Sequence, residues 1–306
     1  MTFNALPALS IDLAGDYQNY FKQSHTKLAD ACPNSRFAWN LGYRYRYLLA
    51  ADCLTLVSDG GVFTKPHFSL PLGPLDGDRL EQILTDLDEI FTEKNWPLTA
   101  MFVDESYLPY FEELGHYQAE ISFDEDFSDY VYVGSKLAGL KGKDYRAKRN
   151  HVNKFIRDYP SFSYRKLTKS DKARAVELVR SWCEEKEIDC GDPLLSDCQP
   201  IGQLFDYWDE LEVRGGVIFD NDSLIAFSMG SLIDQGREAV IHFEKADPSY
   251  EGLYAVINQL TVLHEFPDAE LINREEDMGD PGLRLAKESY LPLKKLKKYR
   301  VTLLKK

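Results

Sequence analysis

Between positions 273 and 290 the chain gathers Asn273, Glu275, Asp277, Arg284, Lys287 and Tyr290. Moving an acyl group onto an amine or hydroxyl requires three things: a base for the nucleophile's proton, donors or cations for the tetrahedral oxyanion, and an acid for the leaving group. Glu275 or Asp277, at the end of the strand-like run AELINREED, can be that base or can bind a cationic amine. Arg284 and Lys287 lie three apart, on one face of a short helix expected over Pro281 to Tyr290, where both can meet a phosphate, a carboxylate or an oxyanion. The same residues also have a plainer reading. In it Arg284 and Lys287 only pair with the neighbouring acids and Tyr290 only packs ahead of Pro292.

Other polar constellations are weaker. His242 and Glu244 would share one face of the strand EAVIHFEKA, where they read as a hydrogen-bonded pair able to contact substrate, because a metal site needs three or four ligands. Asp124, Glu125 and Asp126 read as a solvated turn, since the spacing and glycine of a calcium loop are missing. No metal site is expected. No G-x-G-x-x-G follows a strand, and Gly142-Lys143 runs into Asp144 without the upstream glycine of a phosphate loop. Neither H-E-x-x-H nor G-x-S-x-G occurs. Nucleotide hydrolysis, dinucleotide redox chemistry, zinc proteolysis and serine-hydrolase chemistry are all disfavoured. Cys32, Cys53, Cys183, Cys190 and Cys198 form no C-x-x-C pair, so they are expected to be buried or incidental thiols in a reducing compartment.

Charge adds a second theme. The net charge of −14 argues against a protein that coats polyanions by global attraction. Yet positions 136–157 hold eight Lys/Arg against one acid, and positions 289–306 hold seven against none. Read as a helix from Lys143, the first island puts Arg146, Asn150, Asn153, Lys154 and Arg157 within about a third of the circumference, with Tyr145, Val152 and Ile156 facing the body. Lys143, Arg146, Lys148, Arg149 and Asn150 are therefore candidate phosphate ligands. A solvated helix face is the simpler alternative.

The elements that must position these groups follow from periodicity. At 306 residues about two domains are expected. The first half reads as a helix from Ile11, a hairpin around Asp59-Gly60-Gly61, an amphipathic helix marked by Leu80, Ile83, Leu84, Leu87, Ile90 and Phe91, the strand LTAMFVD, a helix over Tyr107 to Leu114, and strands over Gln118 to Phe123 and Asp129 to Val133. The second half reads β-α-β-β-β-α-β-α-β, with a helical stripe of Leu253, Val256, Ile257, Leu260 and Leu263 and a final strand YRVTLL. That order resembles the acyl-CoA N-acyltransferase (GNAT) fold. The expected fold class is α+β: two tandem GNAT-like domains with mixed, mainly antiparallel sheets flanked by helices, at 1–134 and 161–306, joined by a basic linker helix at 135–160. MTFNALPALSIDLAG lacks the pattern of a secretory signal. No run approaches the roughly 20 apolar residues of a membrane span, and a cytoplasmic location is expected.

Asn273, Glu275, Asp277 and Gly279, then Gly282-Leu283-Arg284, Lys287, Tyr290, Pro292 and Tyr299, together with Leu137, Leu140, Gly142, Lys143 and Lys148-Arg149-Asn150 upstream, carry a more specific likeness. With them the chain resembles the bacterial family related to the C-terminal domain of phosphatidylglycerol lysyltransferase. The resemblance implies tandem GNAT-like domains and kinship with aminoacyltransferases that draw amino acids from aminoacyl-tRNA. It places Tyr290 where many GNAT enzymes hold a general-acid tyrosine. Ordinary GNAT enzymes seat the acyl-CoA pyrophosphate on a glycine-rich turn opening a helix. Here that turn is ADPSYEGLYAVIN, which keeps Gly252 and has Tyr254 where a second glycine would stand.

The expected activity is thus aminoacyl or acyl transfer from aminoacyl-tRNA or acyl-CoA to an amine or hydroxyl. The acceptor would be a small molecule, a peptide or a lipid headgroup, and no tightly bound cofactor is expected. A binding module for tRNA or another polyanion on the same fold is the alternative.

Overall fold

A computed structural model describes residues 2–185, 187, 189, 191 and 196–306. The chain forms two compact units, one of residues 1–128 and 296–306, the other of residues 129–295.

Unit 1 contains α1 (Ala14–Gln23), α2 (Pro33–Ala38), α3 (Asn40–Tyr43), β1 (Arg46–Ala50), β2 (Cys53–Ser58), β3 (His67–Ser69), α4 (Gly77–Glu93), β4 (Thr99–Asp104), α5 (Leu108–Glu112) and β5 (Tyr117–Phe123). Its sheet runs β1-β2-β3-β4-β13-β5, where β13 is the final strand, Lys298–Lys305. Only β3 and β4 pair in parallel, because α4 carries the chain across between them. The Asp76 carboxylate caps α4 by accepting the Arg79 N–H at 2.9 Å, and the expected apolar stripe from Leu80 to Phe91 is buried in full. The first helix is shorter than its periodicity suggested. It ends at Gln23, and Leu28 is buried beyond the helix.

Unit 2 contains β6 (Asp129–Val133), α6 (Gly134–Gly139), α7 (Arg146–Asp158), β7 (Phe162–Lys166), α8 (Lys172–Glu185), α9 (Cys198–Asp206), β8 (Arg214–Asp220), β9 (Ser223–Ile233), β10 (Glu238–Ala246), α10 (Leu253–Glu265), β11 (Leu271–Asn273), α11 (Pro281–Glu288) and β12 (Lys294–Leu296). Its sheet runs β12-β6-β11-β10-β9-β8-β7. Here β10 and β11 pair in parallel, on either side of the crossover helix α10. Each sheet therefore repeats one plan: an antiparallel meander, a helix, a parallel strand and a second helix. Leu263, expected on the core stripe of α10, is exposed. The ladder between β10 and β9 shifts register at His242, the mark of a bulge that re-aims a side chain.

Three assignments differ from the sequence division. The strand over Asp129 to Val133, expected to close the first domain, pairs with β11 in the sheet of unit 2. The linker helix, starting at Arg146 and not Lys143, is packed into unit 2, and the final strand is inserted between β4 and β5 of unit 1. Strand periodicity tells which face is buried and not which neighbour a strand takes. Within α7 it is Val152 and Phe155 that are buried, while Ile156 is exposed. The thiols of Cys32, Cys53 and Cys183 are buried as expected. Cys198 is disulfide-bonded, which corrects the expectation of thiols throughout; Cys190 lies outside the described residues.

Unit 1 also holds a buried polar cluster. His67 on β3 is fully buried, edge-on to the rings of Tyr43, Tyr45 and Phe102. Its Nδ1 lies 2.9 Å from the Lys65 carbonyl, and its Nε2 has no hydrogen-bond partner. Burial lowers its pKa to about 4. Between that value and the ordinary pKa of about 6.5 the unfolded chain binds the proton and the folded chain does not, so stability falls as pH drops through this window. The expected loss approaches about 3 kcal/mol by pH 4. Urea titrations at pH 7 and pH 4 should show it, and His67→Phe should flatten the difference.

Candidate functional site

The acid-rich loop after β11 folds around two charged anchors. Asp277, only 1% exposed at its side chain, accepts Arg284 Nε at 2.9 Å and Nη2 at 2.8 Å, the Tyr130 hydroxyl at 2.6 Å, and the Gly279 N–H at 2.9 Å. The hydrogen bonds from Arg284 hold its carboxyl well below the usual range. Lys287 is buried and donates Nζ to the carbonyls of Arg274 at 2.6 Å, Glu275 at 3.1 Å and Glu276. Burial and then the nearby Arg274 push its pKa down to about 8. Asn273, also buried, donates to Asp129 at 2.9 Å and accepts the Glu275 N–H at 2.8 Å. Glu275 itself is held at φ 56°, a left-handed conformation that costs a non-glycine residue on the order of 1–2 kcal/mol. Asn273, Asp277, Arg284 and Lys287 are therefore spent on shaping the loop. Of the two candidate bases Asp277 is saturated, and the plainer reading of Arg284 as the partner of a neighbouring acid is the one realised.

What this scaffold presents is a pair of polar chains. In the first, the His242 Nδ1–H donates to Glu275 Oε1 at 2.9 Å, and His242 Nε2 lies 2.9 Å from Ser231 Oγ. In the second, Arg274 Nη2 donates to Glu244 Oε1 at 2.9 Å, and Asn258 donates to the other oxygen at 3.0 Å. His242 and Glu244 thus serve two different partners and are not bonded to each other as a pair. The Arg274 guanidinium lies 4.9 Å from the Tyr290 ring centroid and 5.7 Å from that of Tyr132. Lys148, from α7, places its ammonium 4.0 Å from the Tyr290 centroid. Burial, reinforced by Arg274 and opposed by Glu244, pushes Lys148 down to about 8. Tyr290 is buried and burial pushes its phenol up to about 12, so it keeps its proton at neutral pH. Its backbone carbonyl accepts the Tyr145 hydroxyl at 2.8 Å, tying the tyrosine to the start of α7.

The candidate phosphate ligands separate. Of these, Lys148 lies over the Tyr290 ring. Arg149 donates to the carbonyls of Leu140 and, at 2.6 Å, Gly142, and Lys154 pairs with Glu251. Arg146 and Asn150 are exposed, as is Lys143. Lys136, Lys141, Lys143 and Arg146 make no ion pair or side-chain hydrogen bond among the described residues. The C-terminal island is different: Lys297 pairs with Glu105 at 3.0 Å and Lys305 with Asp88 at 2.6 Å, and Lys306 donates to the Leu114 carbonyl at 2.6 Å.

Gly252 has φ 88° and opens α10. A Cβ there would stand 2.5 Å from the His151 carbonyl oxygen of α7, so the glycine is required by the close passage of that helix. Gly252→Ala should cost about 1–3 kcal/mol from backbone strain and overpacking, read as a lower urea midpoint with an unchanged m-value.

Residue type and spacing alone do not mark Tyr132, Asn258 or Ser231, whereas Arg274 carries a signal, a charge between Asn273 and Glu275 at the end of a strand-like run.

The family described as phosphatidylglycerol lysyltransferase, C-terminal, matches residues 44–302. A protein of Mycoplasmoides gallisepticum, described as uncharacterised, is 30% identical over 192 residues, 60% of this chain and 59% of that one; the match thus spans less than two thirds of that relative. Among solved structures, a conserved protein of unknown function from Bacteroides thetaiotaomicron is 26% identical with a TM-score of 0.87, covering 98% of this chain and all of that one. The C-terminal domain of a putative lysylphosphatidylglycerol synthetase from Agrobacterium fabrum has 12% identity and a TM-score of 0.68, covering 96% and 92%. The fold is accordingly α+β, two mixed, mainly antiparallel sheets flanked by helices, shared with that synthetase domain. Among the described residues no helix is long and apolar enough to cross a membrane.

Proposed function

The chain belongs to the phosphatidylglycerol lysyltransferase C-terminal family, and on that basis we propose that it is an aminoacyltransferase, moving an aminoacyl group from aminoacyl-tRNA to an amine or hydroxyl acceptor at the Tyr290 pocket of unit 2. The observation carrying this reading is the setting of Tyr290: a protonated phenol flanked by the two cations Lys148 and Arg274, with Glu244 fixing the guanidinium. In the transfer the acceptor attacks the ester carbon and loses a proton. The ester C–O bond breaks, and the departing ribose oxygen takes a proton. We assign the first proton to Glu275, the carboxylate hydrogen-bonded to His242. Tyr290 is suited to supply the second, and the cations stabilise the intervening oxyanion.

The turn before α10 supports an RNA-borne donor over acyl-CoA. The α7 backbone lies against Gly252 and Lys154 pairs with Glu251, which fills the ground where a pyrophosphate would approach the helix N-terminus. The exposed cations at the start of α7 offer phosphate contacts instead. The acceptor class is an amine or hydroxyl on a small molecule, a peptide or a lipid headgroup.

Thermal unfolding at low salt tests the donor. Charged tRNA should raise Tm, and Lys143→Ala/Arg146→Ala should weaken the effect and flatten its salt dependence. A shift with acetyl-CoA and none with tRNA would refute the donor assignment, and tRNA binding without turnover would favour a polyanion-binding module.

A further inference from the structure

The polar chain through His242 has the connectivity of a nucleophilic triad. Ser231 Oγ lies 2.9 Å from His242 Nε2, and His242 Nδ1 lies 2.9 Å from Glu275 Oε1, the spacing at which a serine, a histidine and a carboxylate act together. Its burial runs the opposite way. In a nucleophilic triad the hydroxyl meets the substrate and the acid is enclosed. Here Ser231 is 4% exposed and the His242 side chain 2%, whereas the Glu275 side chain is 23% exposed. The carboxylate is the end that solvent reaches.

Each member is also held in place. Three hydrogen bonds fix the Glu275 backbone: its N–H donates to Asn273 Oδ1 at 2.8 Å, and its carbonyl accepts the Tyr130 N–H and Lys287 Nζ, each at 3.1 Å. They keep Glu275 at φ 56°, a conformation that persists at such a residue only where its surroundings over-determine it. His242 stands at the register shift between β10 and β9, an irregularity of the kind that re-aims a side chain. An ionised carboxylate only accepts hydrogen bonds, so Nδ1 is the donor to Glu275. A hydroxyl donating to Nε2 leaves the ring proton on Nδ1.

Resting on the transferase reading above, we propose that His242 and Ser231 are positioning residues for Glu275. Ser231 donates its O–H to His242 Nε2, this fixes the ring proton on Nδ1, and Nδ1–H holds the Glu275 carboxylate ionised and aimed at the acceptor. As the acceptor bonds to the ester carbon, its N–H or O–H proton passes to Glu275. The ester C–O bond breaks, and the ribose oxygen takes the Tyr290 proton. One proton passing from Glu275 to Tyr290 through solvent restores both groups. Ser231 forms no covalent bond, and His242 keeps its proton throughout.

Two measurements on the full chain test this. Proton–nitrogen NMR of protein labelled at its six histidines, with the His242 signals identified by their loss in His242→Asn, reads the ring without substrate. At pH 7 Nδ1 should be protonated and Nε2 bare, and the Nε2 signal should move in Ser231→Ala. A protonated Nε2, or an Nε2 signal indifferent to Ser231→Ala, would overturn the arrangement. The second measurement is steady-state transfer from a panel of charged tRNAs to ethanolamine or glycerol. His242→Ala should lower kcat about 100-fold and Ser231→Ala on the order of tenfold, with KM within about twofold, as for a misaimed reacting group. His242→Asn puts an amide N–H where Nδ1–H stood and should recover at least about tenfold of the His242→Ala loss. No recovery in a His242→Asn chain of wild-type Tm, or a labelled aminoacyl group trapped on Ser231, would overturn the positioning role. Transfer lost in Glu275→Gln but unchanged in His242→Ala would overturn it too, and would leave the transferase reading standing. Transfer unchanged in Glu275→Gln, or none from any charged tRNA, would instead sink that reading, whatever the ring nitrogens show.

Discussion

Tyr290→Phe should lower the rate of aminoacyl transfer about 100- to 1,000-fold, the range expected when a positioned proton donor is removed, while leaving Tm within a degree or two. The contrast follows from what the substitution spares. The ring with its Arg274 and Lys148 contacts remains, and so does the backbone carbonyl that accepts from Tyr145. The phenolic hydroxyl makes no hydrogen bond among the described residues, so its removal leaves no native partner stranded. Single-turnover deacylation of charged tRNA in the presence of acceptor measures the first effect, and differential scanning fluorimetry the second. A packing role for Tyr290 predicts the opposite pattern, with unchanged turnover. Glu244→Gln should lose activity too, but with lower Tm, because Arg274 would be left as a buried charge without its carboxylate.

Asp277→Ala should cost about 2–3 kcal/mol of stability, the range for hydrogen bonds to charged groups. The estimate stays below that of a fully buried pair because Arg284 is 34% exposed and water can take over part of its solvation. The sign of the pH effect follows from linkage. The folded-state pKa of Asp277 is lowered, chiefly by Arg284, so its contribution is present above the unfolded value of about 3.9 and lost as pH falls towards the folded one. The gap in urea midpoint between wild type and Asp277→Ala should therefore be smaller at pH 3 than at pH 7, closing fully only below the folded-state pKa. Equal destabilisation at both would show that the carboxylate acts through packing alone.

Much of the architecture was legible in the chain. The α4 stripe is buried as read, and the second half keeps the order read from its periodicity except for two additions, the helix α9 ahead of β8 and the short strand β12 ahead of the last one. The last strand was not placed, because the alternation in YRVTLL fixes its buried face and is silent on its neighbours; its lodging between β4 and β5 is decided by the whole sheet. The site shows the same division. Residue types and spacing single out the loop after β11 as the candidate site, but a carboxylate that saturates itself on Arg284 and Tyr130 looks in sequence like one that is open. Arg274 escaped notice because an arginine in a strand usually reads as surface, and only the fold turns it inward against Glu244 and Tyr290. The basic helix was found, whereas its division into Lys148 inside and Arg146 outside depends on where α7 begins.

The central claim, an aminoacyltransferase with its chemistry at Tyr290, is tested most directly by release of labelled amino acid from a panel of charged tRNAs by the full chain, with and without amine and hydroxyl acceptors. Acceptor-dependent transfer is expected from at least one charged tRNA, none of comparable rate from acetyl-CoA, and loss of that transfer in Tyr290→Phe. Turnover of acetyl-CoA alone, or transfer from tRNA that is indifferent to Tyr290→Phe, would contradict it.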